Sequence, residues 1–132
     1  MRKLKLVAAA ALSTALVALS PTPAHAATSA TFYNDYLLVY VDAGQTYPYV
    51  KVCDRKSDGE RVEVEAWGAW HTLFAAAEDA NGNNGTSDSA CGIGYFSARP
   101  DHNERIYIQG WRQDGANGTP HNWLDGAFTF TG

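Results

Sequence analysis

The chain has 132 residues, with 14 acidic and 10 basic side chains and a formal charge of −4 at pH 7. That length holds one domain, and the acidic balance argues against nucleic acid and anionic membrane surfaces as partners. Two cysteines with no histidine pair nearby make a poor structural metal centre, which wants four ligands.

The first residues have the layout of a secretory leader. Arg2, Lys3 and Lys5 form a positive start, and Leu6 to Leu19 is an uncharged run of Leu, Val and Ala broken only by Ser13 and Thr14. Pro21 and Pro23 end any helix, because proline lacks the backbone donor and clashes with the preceding turn. Ala24-His25-Ala26 then places small residues where a signal peptidase reads, so cleavage is expected after Ala26. The run has 14 residues, short of the roughly 20 that span a bilayer, so no membrane insertion is expected. Residues 1–26 are read as leader and residues 27–132 as a secreted, extracellular β domain. Three basic and no acidic residues lie in the leader, so the exported part carries a formal charge of −7.

The exported part is rich in Tyr, Trp, Val and Thr and is punctuated by Gly, Asn and Asp, the composition of short strands joined by turns. Strands are expected near Thr31–Val41, Thr46–Cys53, Arg61–Trp70, Thr72–Ala77, Gly92–Arg99, Arg105–Arg112 and Gly126–Thr131. Leu73 to Glu78 also fits one helical turn. The expected architecture is all-β, a single antiparallel β-sandwich or small barrel of six to seven strands.

The Asp58-Gly59 turn invites a hairpin between the strands on either side of it. A three-residue loop with Gly59 left-handed sets Val52 against Val64, Val50 against Ala66, Lys51 against Glu65 and Tyr49 against Trp67, matching like with like on both faces. In that register Cys53 lies on the more polar face, beside Glu63. Cys53 and Cys91, an even pair in an oxidising compartment, read as a disulfide. It would strap the polar loop from Asp79 to Ser89 across that face.

The segment Tyr49-Val50-Lys51-Val52-Cys53-Asp54, with the Asp58-Gly59 turn, the distant second cysteine and the Ala-rich leader, resembles a group of small secreted actinobacterial proteins with a Val-x-Val-Cys-Asp strand. The resemblance covers about the middle half of the exported chain. Many members carry further cysteines near the end, where this chain has Trp123 and Phe128-Thr129-Phe130 instead. The resemblance implies the fold and the location, and no chemistry.

Catalytic signals are sparse. Glu63 and Glu65 alternate on one strand, about 7 Å apart, within the range of inverting glycosidases. Two carboxylates on one strand do not flank a sugar bond, however, and Lys51 offers Glu65 an ordinary ion pair. His71, His102 and His121 stand at turns or strand ends and show no metal-ligand spacing. Asp101, His102 and Glu104 would suit a proton relay, but no nucleophile elbow accompanies them. Asp79, Asn81, Asn83 and Asp88 are the calcium candidates. Their loop departs from the EF-hand pattern, with Gly82 and Gly85 at the fourth and seventh positions and Ala90 in place of the bidentate Glu. No cofactor is expected. Asn84-Gly85-Thr86 and Asn117-Gly118-Thr119 match glycosylation sequons and read as turns.

Four tryptophans are many for so small a domain. If the strand around them is regular, Tyr107 and Trp111 point away from Ile106 and Ile108. Trp111, Tyr107, Trp67 and Tyr49 are therefore the candidate ligand-binding aromatics, suited to stacking on sugar rings or anchoring a protein interface. The favoured reading is a non-enzymatic secreted binding or structural protein whose partner is an extracellular polysaccharide or protein. The alternatives are a proteinase inhibitor, working through Ala98-Arg99-Pro100 or Gly115–His121, and a small glycoside-acting hydrolase using Glu63 or Glu65.

Overall fold

The computed structural model describes residues 26–132. The expected leader lies outside them except for Ala26. Nine strands and no helix occur among the described residues: β1 (Ala26–Ala27), β2 (Ser29–Tyr33), β3 (Leu37–Asp42), β4 (Tyr49–Asp54), β5 (Arg61–Trp67), β6 (Leu73–Asp79), β7 (Gly92–Tyr95), β8 (Arg105–Gln113) and β9 (His121–Phe130). Eight of them form two antiparallel four-stranded sheets, β9-β8-β5-β6 and β2-β3-β4-β7, and β1 adds a short parallel pairing to the free side of β9. The fold is an all-β sandwich.

Alternation along the strands builds the core. Val39 and Val41 on β3 and Val50 and Val52 on β4 point inward from one sheet. Val62, Val64 and Ala66 on β5, Ile106 and Ile108 on β8, and Phe128 and Phe130 on β9 meet them from the other, all 2% exposed or less. Burying a Val, Ile or Phe side chain contributes about 1.5–3 kcal/mol, so these two inward faces hold the sheets together. At one side of the sandwich the sheets close on each other through glycine. A Cβ at Gly92 or Gly94 would stand 1.8 or 2.0 Å from the Glu78 or Ala76 carbonyl oxygen, so β7 fits against the β6 backbone only as Gly-x-Gly. Both strands are sheet edges, and this close approach covers them.

Several expectations are corrected. The single strand expected over Thr31–Val41 is a hairpin, β2 and β3, because the Asn34 carboxamide oxygen accepts the Tyr36 and Leu37 amides and turns the chain. Leu73 to Glu78 is strand throughout, as part of β6. The strand expected from Gly126 begins five residues earlier, at His121.

The hairpin across Asp58-Gly59 does not form. β4 pairs with β3 and β7, whereas β5 pairs with β6 and β8, so the turn is an arch that carries the chain from one sheet to the other. Val52 lies opposite Val39 and Gly92, not Val64, and Tyr49 lies opposite Asp42 and Tyr95, not Trp67. The arch is held by Arg112, a buried residue at the end of β8. Its guanidinium pairs with Asp58 and with Glu60, the latter at 2.5 Å, and lies 4.3 Å from the centre of the Tyr36 ring. His121 reaches Glu60 at 3.1 Å. These contacts tie the arch to β8 and β9.

Cys53 and Cys91 form the expected disulfide, with Cα atoms 4.6 Å apart. The β4–β7 register places them directly across from each other, one step beyond the Val52–Gly92 pair. The bond fastens an edge strand to its neighbour outside the core cluster, and Cys53 does not neighbour Glu63 in the ladder. Such a bond fits an oxidising environment. Among the described residues no helix is long and apolar enough to cross a membrane.

Candidate functional site

The outer face of the β9-β8-β5-β6 sheet carries three rows of side chains, set by pairing. In the first, Trp67 on β5 lies opposite Tyr107 on β8 and Leu73 on β6, and Tyr107 lies opposite Ala127 on β9. In the middle row Glu65 lies between Ala76 and Gln109, and Gln109 lies opposite Asp125. In the third, Glu63 lies between Glu78 and Trp111.

Trp123 joins the third row because of an irregularity. Between Gly110 and Arg112 the β8–β9 register shifts, with β9 holding one more residue than β8. Asn122 takes up the extra length at φ 51°, in the left-handed region that Asn tolerates better than most residues. A bulge of this kind re-aims side chains. Trp123 thereby packs on Trp111 with ring centroids 5.3 Å apart, while His121 still reaches Glu60 beside Arg112.

The aromatic side chains are held as well as displayed. The Trp67 indole N–H donates to Glu65 Oε2 at 2.9 Å, and the Trp111 indole N–H donates to Gln113 Oε1 at 2.9 Å. Each bond runs to a residue two positions away on the same strand, so the rings are fixed before any ligand arrives. Tyr107 is 48% and Trp123 49% exposed. Beside the first row a depression of about 620 Å³ is lined by Trp67, His71, Tyr107, Gln109 and Asp125, among others. A second, of about 340 Å³, lies between Glu63, Glu65, Glu78, Trp111 and Ile93. At the tip of the β5–β6 turn Trp70 is 88% exposed, and His71 beside it has φ 58°.

This face is acidic. Burial pushes the Glu63 carboxyl up from its ordinary value; the Glu78 carboxylate adds to the rise, Arg61 opposes it and Glu65 adds again. Arg61 is tied to Glu78 at 2.6 Å. Glu63 and Glu65 project from the same side of one strand, and Glu78 lies beside Glu63 on that same face.

Tyr49 belongs elsewhere. Its ring stands 6.0 Å from Tyr40 and 6.4 Å from Tyr95, on the outer face of the β2-β3-β4-β7 sheet. The structure thus brings together Trp67, Tyr107 and Trp111 and leaves Tyr49 on the opposite side of the sandwich. Trp123, Gln109 and Asp125 join them; Trp123 was visible as a tryptophan, but its facing depends on the bulge at Asn122.

The calcium candidates are engaged by other parts of the chain. Asp79 is buried and accepts the Asp54 and Asn81 amides, one on each oxygen. The Asn83 carboxamide donates to the Arg55 carbonyl, and Asp88 pairs with Lys51 at 3.1 Å. Among the described residues no three His, Cys, Asp or Glu side chains are grouped to hold a metal ion. Both loops named for an inhibitor are largely exposed and are tied down at one end. Pro100 is buried, and the Arg99 guanidinium lies 5.8 Å from the Phe130 ring centre. Gln113 ties down the Gly115 and Ala116 carbonyls. His102 reaches the Gly132 carbonyl, and Glu104 accepts the Asp101 amide.

No protein-family model, curated protein or solved structure matches this chain.

Proposed function

We propose that this is a secreted, non-enzymatic binding protein that takes an extracellular polysaccharide on the outer face of the β9-β8-β5-β6 sheet. The observation that carries the reading is the pair of aromatic stations on one strand, Tyr107 with Trp67 and Trp111 with Trp123. Tyr107 and Trp111 are four residues apart on β8, so the stations lie about 13 Å apart along a rigid line. Aromatic faces spaced along a flat sheet suit a linear polymer of rings, each ring burying apolar C–H surface on a side chain. Hydrogen bonds fix the indoles in advance, which lowers the ordering cost of binding.

The test is substitution at the centre of the stack. Trp111→Ala removes one station and should weaken polysaccharide binding by about thirtyfold, the scale of a 2 kcal/mol anchor. The thermal midpoint should fall only slightly, because Trp111 faces outward. Unchanged retention on a polysaccharide affinity gel, or loss of the fold, would refute the reading.

A further inference from the structure

The same face has a chemistry that plain sugar stacking does not need. Between the aromatic stations lie Glu65 and Asp125, with Gln109 between them across the strands. Glu63 lies beside Trp111, and Glu78 beside Glu63. Two arginines share the face. Arg61 stands at one end, bonded to Glu78, and Arg105 at the other, bonded to the Thr129 hydroxyl at 3.3 Å. The middle row holds two carboxylates and no cation. Asp125 is exposed, and among the described residues no side-chain hydrogen bond or ion pair engages its carboxylate. Glu65 uses one oxygen for the Trp67 indole. A ligand lying from station to station must therefore pass over two carboxylates that no cation of the described residues pairs.

We infer, building on the polysaccharide reading above, that the ligand is a linear polymer of amino sugars whose protonated amines meet Glu65 and Asp125 while its rings stack at Tyr107–Trp67 and Trp111–Trp123. Charge complementarity favours the amine, since a neutral glycan offers these carboxylates hydroxyl donors but no opposite charge, and an acidic one is repelled. Aromatic rings beside carboxylates strengthen the same preference, because an ammonium is drawn to the ring face as well as to the acid. A basic peptide is the other cationic polymer. Extended peptides are commonly recognised through backbone pairing with a sheet edge. On this face β8 and β5 are paired on both sides, and the edge strand β6 is covered by β7. Across β8 and β5, where the stations are set, the surface offers rings and carboxylates without free backbone groups, which suits a sugar polymer.

The experiment is calorimetric titration of the oxidised protein with three probes: soluble chitosan oligomers, the same oligomers fully N-acetylated, and polylysine of similar length. The chitosan oligomers should bind about tenfold or more tighter than their acetylated form in low salt. The advantage should shrink at about 1 M salt, where the screening length is about 3 Å. Asp125→Asn should reduce chitosan affinity several-fold and acetylated-oligomer affinity less. Asp35→Asn, in the β2–β3 turn of the other sheet, should change neither. Equal affinity for the two oligomers would overturn the amine inference and leave the polysaccharide reading standing. Binding of neither oligomer would overturn both. Polylysine binding tighter than chitosan would show that charge alone is read and would overturn the amino-sugar assignment.

Discussion

The two outer faces of the sandwich start from the same strand alternation and end differently. On the β2-β3-β4-β7 sheet, Tyr40, Tyr49 and Tyr95 form a chain of rings, and the Asn/Gly loop after β6 is tied to that face. Lys51 binds the Thr86 carbonyl and Asp88 there, both at 3.1 Å, and the Cys53–Cys91 bond secures the loop's end. On the β9-β8-β5-β6 sheet no loop of the described residues is tied across the aromatic stations; the Trp67 and Trp111 indoles are hydrogen-bonded to neighbours on their own strands, and Trp111 packs on Trp123. A long loop with a covalent anchor converts one face into support. The other face stays open because the turns at its ends are short or are tied to themselves, as Gln113 ties the loop after β8.

The contrast is broken most severely by removing the strap. Replacing Cys53 and Cys91 together by alanine should destabilise the protein by up to about 4 kcal/mol on the loop-entropy account, seen as a lower urea midpoint. Hydrogen exchange should rise first in β7 and the loop before it, while the β5–β8 ladder stays protected. Faster exchange in β8 than in β7 would mean that the disulfide supports both faces alike. Next in size is Trp111→Ala, with its expected loss of about 2 kcal/mol in ligand binding and near-native stability. The same substitution at Tyr49 should leave polysaccharide affinity unchanged, and an equal loss at both positions would erase the distinction between the faces.

A smaller effect concerns Asp54, at the base of the strapped loop. It is buried, its Oδ1 accepts the Lys56 amide, and its Oδ2 has no partner. Burial pushes its carboxyl up from the ordinary value; the Lys56 amide opposes this, and the Asp58 and Asp79 carboxylates add to it. A raised pKa in the folded protein means that the neutral form is favoured there. Its contribution to stability is therefore present below the unfolded-state value and lost as pH climbs through the folded one. Asp54→Asn keeps the acceptor for Lys56 and removes the group that titrates. The variant's melting curves at pH 4 and pH 7 should differ less than those of the parent. The smallest effect belongs to Lys51→Met. Asp88 is well exposed, so losing the pair should cost under about 1 kcal/mol, read as faster exchange at Thr86–Ser89 with binding unaltered.

Strand existence was legible because alternation of Val, Ile and Phe with polar residues survives whatever the partners are. It placed Ile106 and Ile108 in the core and turned Tyr107 and Trp111 outward before any pairing was known. The disulfide was legible from cysteine number alone. Alternation fixes which way a side chain faces and leaves open which strand lies beside it. The Asp58-Gly59 turn suits a hairpin and an arch equally; the arch is the one seen, with β5 paired to β6 and β8 and Arg112, 54 positions from Asp58, bound to the turn. Moving β5 to the other sheet separated Tyr49 from Trp67. One extra residue at Asn122 brought Trp123 onto Trp111, and the β8–β9 register brought Asp125 beside Gln109. Local sequence determined the faces of this protein; pairing over long separations decided which faces coincide, because ion pairs and bulges act between residues that the chain holds far apart.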